Sequence, residues 1–302
     1  MNKKNVLYFA VLILIPLFVV SILYKTLINE NKKNSKEYLI KISKNNEVLE
    51  IPLENYIIGV VAGEMPASFE VEALKAQAVA SRTYAMYKIE LNKELEATTD
   101  DQVYITQNEM KEKWGNDYNK YYNKIKNAVN ETKNLVMIKD NSLFKSFYFS
   151  MSNGYTEDSI TVFNEGNIKS VTSPWDNSSI NKFIVTTEFK LDDIKTKLKL
   201  KEDIKNINIL KRDKNNRVEE VKVNNKTYTG INFRHLLSLR STDFEIKIKD
   251  NVCLITTKGY GHGVGMSQYG ANGMAKEKYT YDEILKYYYQ DIKLKNIEEI
   301  FV

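Results

Sequence analysis

The segment that organises the predicted fold reads VVAGEMPASFEVEALKAQAVASRTYA and spans residues 60–85. Glycine, proline and serine between residues 59 and 68 predict a turn, after which Ser68 can act as the N-cap of a helix that runs to about Lys88. Alanines on one face of this helix allow close packing against a neighbour. The polar positions on its other sides are Gln77, Ser81 and Arg82.

Glu64 is the strongest candidate for chemistry in this segment. It follows Gly63 and precedes Met65-Pro66, immediately before the predicted helix. Small and apolar neighbours would partly desolvate the carboxyl group and raise its pKa, which suits a general acid near neutral pH. The alternative is an exposed loop glutamate, or one that caps the helix ahead.

A second candidate segment is rich in glycine and reads GYGHGVGMSQYGANG at residues 259–273. Six glycines in fifteen residues favour a loop in which the backbone approaches a ligand closely. His262 and Gln268 could donate hydrogen bonds to sugar hydroxyl groups there, and the tyrosines could stack on sugar rings. The alternative is a tight structural loop. The pattern fits neither a Rossmann nor a P-loop fingerprint.

A third candidate is the loop SMSNGYTE at residues 150–157. Its serines and Asn153 could line a polar groove, or they could satisfy the backbone of the loop itself. Cys253 lies in an apolar run, VCLI, and is interpreted as a core residue and not a nucleophile. The sequence contains no Gly-x-Ser-x-Gly elbow, no His-Glu-x-x-His pair and no EF-hand loop.

The N-terminus predicts a membrane anchor. Asn5–Tyr24 is a run of 20 residues without a charge, which is long enough to cross a bilayer as a helix. A cleaved signal peptide is the alternative, but the run is long for one and lacks a small-x-small cleavage site. We therefore predict a tail at 1–4, a transmembrane helix at 5–24 and a linker at 25–36. Lysines on both sides leave the orientation undecided by charge.

Composition and charge exclude several classes of protein. The 302 residues carry a net charge of +5, with one cysteine and two histidines. Residues 1–35 account for +4 of this charge, so the remaining 267 residues are nearly neutral, unlike a nucleic-acid-binding domain. A single cysteine excludes an intramolecular disulfide, and the Cys and His count is too low for a usual structural zinc centre.

The rest of the chain predicts an α+β fold with mixed helices and strands. A core domain would be formed by residues 37–182 and 251–302. A change in composition near residue 183 indicates a smaller inserted α+β domain at 183–250, after which Val252–Thr257 would return to the core.

Four separated segments resemble the stage II sporulation protein D family, which also includes proteins described as amidase enhancers. They occur in the order of the family and cover most of the chain beyond residue 38. The segments are residues 60–85, SFYFSMSNGYTEDS at 146–159, GINFRHLLSLRSTDFEI at 230–246 and GYGHGVGMSQYGANGMA at 259–275.

The resemblance implies a lytic transglycosylase that cleaves peptidoglycan between N-acetylmuramic acid and N-acetylglucosamine, on strands already stripped of stem peptides, during engulfment. It implies a single-pass protein of the mother-cell membrane with its C-terminal domain outside the cytoplasm. Implied partners are the amidase stage II sporulation protein P and the scaffold protein M, and no nucleic acid. Glu64 would be the catalytic acid, and the candidate substrate-binding residues are Gln77, Arg82, Tyr104, Ser152, Asn153, His262, Ser267 and Gln268.

One carboxyl group can serve such a reaction, whereas hydrolytic glycosidases generally use two. Asp100, Asp101 and Asp176 are possible second carboxylates. Some relatives place a histidine where this chain has Phe149, and phenylalanine cannot bind a metal, so we expect no metal and no cofactor. The alternative function is a non-catalytic, glycan-binding activator of a cell-wall amidase.

Overall fold

The computed structural model describes residues 37–45 and 47–300, and the chain from Ile40 onward forms one compact unit. Helices and strands alternate irregularly along the chain, and the predicted mixed α+β class is confirmed. The predicted membrane helix at Asn5–Tyr24, with its tail and linker, lies outside the described residues. Within the described ranges, no helix combines the length and apolar character that a bilayer crossing needs.

Helices and strands are numbered here in chain order among the described residues. The helices are α1 (Leu53–Glu64), α2 (Val71–Glu90), α3 (Gln107–Trp114), α4 (Tyr118–Glu131), α5 (Ser159–Phe163), α6 (Leu191–Lys197), α7 (Gly230–Leu237), α8 (Gln268–Lys276) and α9 (Tyr281–Tyr289). The strands are β1 (Leu39–Lys44), β2 (Glu47–Pro52), β3 (Leu95–Glu96), β4 (Leu135–Ile138), β5 (Tyr148–Phe149), β6 (Ile184–Lys190), β7 (Ile207–Arg212), β8 (Val218–Val223), β9 (Lys226–Thr229), β10 (Phe244–Lys249), β11 (Val252–Lys258), β12 (Met266–Ser267) and β13 (Lys293–Asn296).

Helix α1 extends further than the sequence predicts. The turn predicted at residues 59–68 begins only after Glu64, which is the last residue of α1. Ser68 is not the N-cap of α2, because Glu70 occupies that position and its side chain makes no capping hydrogen bond. The prediction was therefore wrong about the local backbone, and Glu64 ends a helix instead of lying in a loop.

A close contact explains why α1 tolerates two glycines. A Cβ atom on Gly59 would lie 2.2 Å from Cε2 of Tyr104, and one on Gly63 would lie 2.4 Å from the carbonyl oxygen of Val103. Residues 103–105 therefore lie directly along α1, at a distance that any side chain at either glycine would prevent. Glycine costs helix stability, and here the packing of a second segment offsets that cost.

Helix α2 lies at the centre of the unit and packs against α1, α4, α8, α9 and β4. Every residue of α2 from Ala76 to Met86 is buried, so this part of the helix has no solvent-facing side, which differs from the predicted amphipathic arrangement. Its predicted polar positions, Gln77, Ser81 and Arg82, are completely buried. Each of them therefore needs a hydrogen-bonding partner inside the protein.

Arg82 finds its partner in Glu54, in the first turn of α1. Its Nε and one terminal nitrogen donate to the two carboxylate oxygens at 2.9 and 2.6 Å, a bidentate arrangement. The other terminal nitrogen donates to the carbonyl of Leu135 at 3.1 Å. This one side chain joins α1, α2 and β4.

Within the described ranges, the strands form several small sheets and no single large one. Strand β1 lies between β2 and β3, β4 pairs with β13, and β7, β8 and β9 form a separate three-stranded sheet. The shortest pair joins β5 to β12 in parallel, with Tyr148 opposite Met266 and Phe149 opposite Ser267. This pairing brings the loop that begins at Ser150 against the glycine-rich segment.

An apolar cluster lies within residues 194–255. It includes Phe233 of α7 and Phe244 of β10, whose rings stack at 5.6 Å, and it buries Cys253 completely. Cys253 is therefore a core residue, as predicted. Strand β11 pairs with β10 and β6, so the sheet of this region continues to Lys258, beyond the predicted limit at residue 250. The division into core and inserted domains stays a prediction.

We expect Arg82→Met to destabilise the protein by about 3–5 kcal/mol, because it leaves the Glu54 carboxylate without its buried partner. The measurement is urea unfolding of the purified protein. Adding Glu54→Leu to Arg82→Met removes the orphaned charge and should restore part of the loss.

The matched control for this prediction is Lys286→Met, which breaks the exposed pair between Lys286 and Asp282 on α9. Such a surface pair contributes about 0.3–0.5 kcal/mol. An Arg82→Met variant that loses no more stability than Lys286→Met would show that the buried pair does not hold α1 and α2 together.

Candidate active site

A cleft of about 950 Å³ collects most of the groups that could carry chemistry. One part of its lining comes from the end of α1, the loop around residue 100, β5 and the glycine-rich segment. The other part comes from β8, α7 and the neighbouring loops of the region 183–250. The Asp, Glu, Lys, Arg and His side chains along it are Glu64, Asp100, Asp101, Lys145, Glu157, Asp213, Arg217, Glu219, Arg234, His235 and His262.

The Glu64 carboxyl group is partly buried in this cleft, at the C-terminal end of α1. Burial raises its pKa above the ordinary glutamate value, because the charged form loses solvation. The carboxy-terminal end of a helix dipole acts in the same direction, since it disfavours negative charge. The protonated carboxyl therefore persists to higher pH than that of an exposed glutamate.

Several donors fix the orientation of this carboxyl group and partly oppose the effect of burial. The Val103 amide donates to Oε1 at 2.7 Å, and the Gln268 side-chain amide donates to Oε2 at 3.4 Å. Tyr148 and the charge of Lys113 also lower the pKa, although burial outweighs all four. Lys113 is held by a 2.9 Å hydrogen bond to the carbonyl of Ala62.

Gln268 and Gln77, both predicted site residues, are brought together behind Glu64. The Gln268 side-chain nitrogen donates to the side-chain oxygen of Gln77 at 3.4 Å, and the side-chain nitrogen of Gln77 donates to the Ser81 hydroxyl at 3.0 Å. Gln268 begins α8, while the other two residues lie one turn apart on α2. The network therefore ties the carboxyl group to the central helix.

Tyr148 is a site residue that the sequence reasoning missed. Its hydroxyl accepts a 3.0 Å hydrogen bond from Gln102, whose side-chain oxygen accepts one from Tyr56 at 3.1 Å. The available signal was its position between Phe147 and Phe149 in a short strand, where successive side chains point to opposite faces. Such a polar ring among apolar neighbours requires a buried partner.

His262 lines the cleft but is held by the protein. Its Nδ1 accepts from the Val264 amide at 3.0 Å, so Nε2 carries the hydrogen and donates to the Tyr148 carbonyl at 3.1 Å. Burial and the nearby Arg234 charge lower the pKa of His262 to about 3, so the ring is neutral at physiological pH. Both nitrogens are engaged, which favours a positioning role.

The other predicted binding residues lie outside the lining of the cleft. Ser152 donates to Asp176 at 2.8 Å, and Ser267 caps α8 by accepting from the Gly270 amide. Asn153 donates to Asp243 at 2.8 Å. Ser152 also accepts from the Gly154 amide at 3.0 Å and Asn153 from the Tyr155 amide at 3.4 Å, which are contacts of the kind expected if these side chains satisfy the backbone of the loop.

Tyr104 and Arg82 are likewise engaged in packing and not in the cleft. The Tyr104 ring stacks on Tyr56 at 5.5 Å, next to Gly59. Arg82 is completely buried against Glu54. The structure thus brings Glu64, Gln77 and Gln268 together and places these two residues in supporting positions.

The possible second carboxylates are placed differently from one another. Asp100 and Asp101 line the cleft with Glu64, whereas Asp176 is buried beside Ser152 outside it. Asp101 is paired with Lys88 at 2.8 Å, and its pKa is lowered despite burial, because backbone and side-chain donors hold the charged form. An ionised carboxylate of this kind is no proton donor at neutral pH.

A metal centre is not apparent in the described part of the chain. No group of three or more His, Cys, Asp or Glu side chains there is arranged to hold an ion. Phe149 is buried and packs against His262 with ring centroids 5.6 Å apart. An apolar ring thus occupies the position next to the histidine.

Comparison with known proteins agrees with these motifs. The sequence model SpoIID, described as Stage II sporulation protein, matches residues 41–138. Stage II sporulation protein D of Bacillus subtilis is 41% identical over 266 residues, which are 84% of this chain and 77% of that protein. The chain belongs to the stage II sporulation protein D family.

Two further relatives extend the stage II sporulation protein D comparison. The protein of the same name from Bacillus amyloliquefaciens is 39% identical over 85% of this chain and 78% of its own length. A protein named amidase enhancer, from Bacillus subtilis, is 30% identical over 76% of this chain but only 39% of that longer protein. The chain is therefore a sporulation-family protein that is similar over most of its length to one named for an effect on an amidase.

The raised pKa of Glu64 predicts a pH-dependent cost to stability. When the pKa of a carboxyl group is higher in the folded than in the unfolded protein, the protein loses folding stability as the pH rises through the interval between these two pKa values. Glu64→Gln removes the titration, so its melting temperature relative to the parent should increase from pH 4 to pH 7. A difference that stays constant with pH would contradict the raised pKa.

Gly63→Ala should disturb the site through Val103. The added Cβ would lie 2.4 Å from the Val103 carbonyl oxygen, so residues 103–105 must shift. This shift should weaken the hydrogen bond that the Val103 amide donates to the Glu64 carboxyl group. We expect a loss of about 1–3 kcal/mol in stability from overpacking. Carbon NMR titration of the Glu64 carboxyl should show a further increase in its pKa. An unchanged pKa would show that Gly63 does not control the hydrogen bonding of the carboxyl group.

Proposed function

We propose that the protein is a peptidoglycan lytic transglycosylase of sporulation, which cleaves peptide-free glycan strands between N-acetylmuramic acid and N-acetylglucosamine. The observation that carries this proposal is the Glu64 carboxyl group, which is partly buried, oriented by Val103 and Gln268, and open to a cleft of about 950 Å³. Its raised pKa suits a group that must donate a proton near neutral pH.

The reaction needs one carboxyl group that acts twice. Protonated Glu64 donates its proton to the glycosidic oxygen as the bond to C1 of the muramic acid breaks. The 6-hydroxyl oxygen of the same muramic acid bonds to C1, and the Glu64 carboxylate accepts the hydroxyl proton. The products are a new N-acetylglucosamine hydroxyl end and a 1,6-anhydromuramic end, and Glu64 is protonated again.

The surroundings of Glu64 favour this route over hydrolysis. Hydrolytic glycosidases generally use a second carboxylate that activates water or attacks the sugar. Asp101 is engaged by Lys88 and by the Tyr84 hydroxyl at 2.6 Å, and Glu157 is paired with Arg217 at 2.9 Å. These engagements disfavour Asp101 and Glu157 as a second catalytic carboxylate, and Asp100 stays a candidate for that role.

The same proposal includes a location and partners. The uncharged run Asn5–Tyr24 supports a single membrane anchor. Membership of the family supports the mother-cell membrane as its location, with residues from 37 onward outside the cytoplasm. An amidase that removes stem peptides, of the kind of stage II sporulation protein P, would supply the substrate. The membrane scaffold protein M would hold the two enzymes together.

A second candidate function is a glycan-binding activator of a cell-wall amidase that cleaves nothing itself. The similarity to the protein named amidase enhancer favours it. The two functions differ in whether the purified protein alone shortens glycan strands, and this difference is directly measurable.

The test is incubation of the purified protein with peptide-free glycan strands, followed by mass spectrometry of the products. We expect anhydromuramic ends from the parent and a reduction of about 10²-fold or more with Glu64→Gln, which removes the proton donor. Glu70→Gln is the matched control, because Glu70 is an exposed carboxylate six residues away.

Each other result points to a different mechanism. Cleavage that survives Glu64→Gln would remove Glu64 as the acid. Reducing ends without the anhydro bridge would indicate a hydrolase with a second carboxylate. Binding of strands without cleavage would favour the amidase activator.

A further inference from the structure

Arg234 is a cleft residue that the mechanism above does not use. It lies on α7, within the region 183–250, and its side chain lines the same cleft as Glu64. Phe233 and Leu237 of the same helix are buried in the apolar cluster, so α7 is firmly anchored. The position of Arg234 is therefore set by the packing of its own helix.

The guanidinium group of Arg234 has no partner among the described residues. Its Nε is buried and donates no hydrogen bond, and no carboxylate within the described ranges pairs with the guanidinium group. Burial and the neighbouring Arg217 charge both lower the pKa of Arg234, because they disfavour the cation. A partly buried cation without a counter-charge costs stability, so an unpaired one that lines a cleft indicates a ligand that supplies the charge.

Arg217 provides the contrast on the same wall. Its guanidinium is paired with Glu157 at 2.9 Å and donates to the Thr242 hydroxyl at 3.2 Å and the Tyr155 carbonyl at 3.3 Å. Arg217 is thus occupied by the protein and raises the positive potential around Arg234. An incoming anion would bind to Arg234.

The groups around Arg234 fit a sugar that carries one negative charge. The Arg234 charge helps to lower the pKa of His262, which is therefore neutral. Tyr260 lies near enough to Arg234 to influence the pKa of the guanidinium group. The Tyr260 ring is half-exposed in the cleft, with the Arg240 guanidinium stacked 4.1 Å from its centroid. The exposed Tyr260 ring can hold the apolar face of a sugar, and the separate guanidinium of Arg234, which lines the same cleft, can bind the carboxylate of that sugar.

We propose that Arg234 is a specificity-determining residue that binds the free lactyl carboxylate of a muramic acid in the cleft and thereby selects strands without stem peptides. The proposal rests on the proposed function for the identity of the polymer. A stem peptide is joined through an amide at that same carboxyl group, so its removal creates one negative charge on each muramic acid. An intact amide offers no charge and would leave the guanidinium unpaired.

The test measures binding and not cleavage, with full-length Glu64→Gln protein and fluorescently labelled peptide-free glycan strands. The comparison ligand is the same strand after its lactyl carboxylates have been converted to methylamides. We expect the free-acid strand to bind at least about tenfold more tightly than the amide, as a charge-assisted hydrogen bond contributes about 1.5–3 kcal/mol. Other anionic groups on the strand are unchanged by this conversion, so the difference reports the lactyl carboxylate.

The deciding variant is Arg234→Met in the same background. It should bind both strands with the affinity that the Glu64→Gln protein has for the methylamide strand. Arg234→Lys should restore part of the preference for the free-acid strand. Lys247→Met is the matched control, because it removes one positive charge from the exposed side of β10 and should leave the preference intact. Thermal unfolding of Arg234→Met should be unchanged or shifted upwards, since the residue it replaces has no partner.

A preference for the free acid that survives Arg234→Met would overturn the proposal, as would the absence of any preference in the parent background. These outcomes are separate from the failure of the proposed function. A protein that prefers the free acid through Arg234 but produces no anhydromuramic ends retains this specificity and loses only the enzymatic assignment.

Discussion

The contact between helix α1 and residues 103–105 is the constraint on which the site depends. Gly59 and Gly63 allow the segment to lie on the helix, and the Val103 amide then reaches the carboxyl group of Glu64 at 2.7 Å. The helix thereby ends with a carboxyl group that is sheltered from water and yet held by a donor. The raised pKa follows from the balance between this shelter and these few hydrogen bonds, in which shelter is the larger effect.

Much of this arrangement could be predicted from the sequence, because the relevant signals are local. The neighbours of Glu64 indicated a sheltered carboxyl group, and VCLI indicated the buried Cys253. The end of α1 was predicted wrongly, since glycine normally weakens a helix and the stabilising partner is some 40 residues away. Tertiary packing overrode the local preference, as it commonly does for propensity.

The roles of the buried polar residues could not be predicted from the sequence either. Gln77 and Arg82 are close in sequence and similarly polar, yet one belongs to the network behind Glu64 and the other to an ion pair with Glu54. Nothing in the spacing separates the two roles, because both side chains are completely buried on a helix surrounded by neighbours. Arg217 and Arg234 are likewise similar in sequence terms, yet of these two only Arg234 lacks a side-chain partner in the described chain.

The parallel pair of β5 and β12 has a consequence for the biosynthesis of the protein. It joins segments more than 100 residues apart, and the bond from Gln268 to Glu64 spans 204 positions. Contacts so distant in sequence close late, because the entropy of a long loop must be lost first. The N-terminal part of the chain therefore emerges during synthesis with an incomplete site, which is assembled only after Gln268 has left the ribosome.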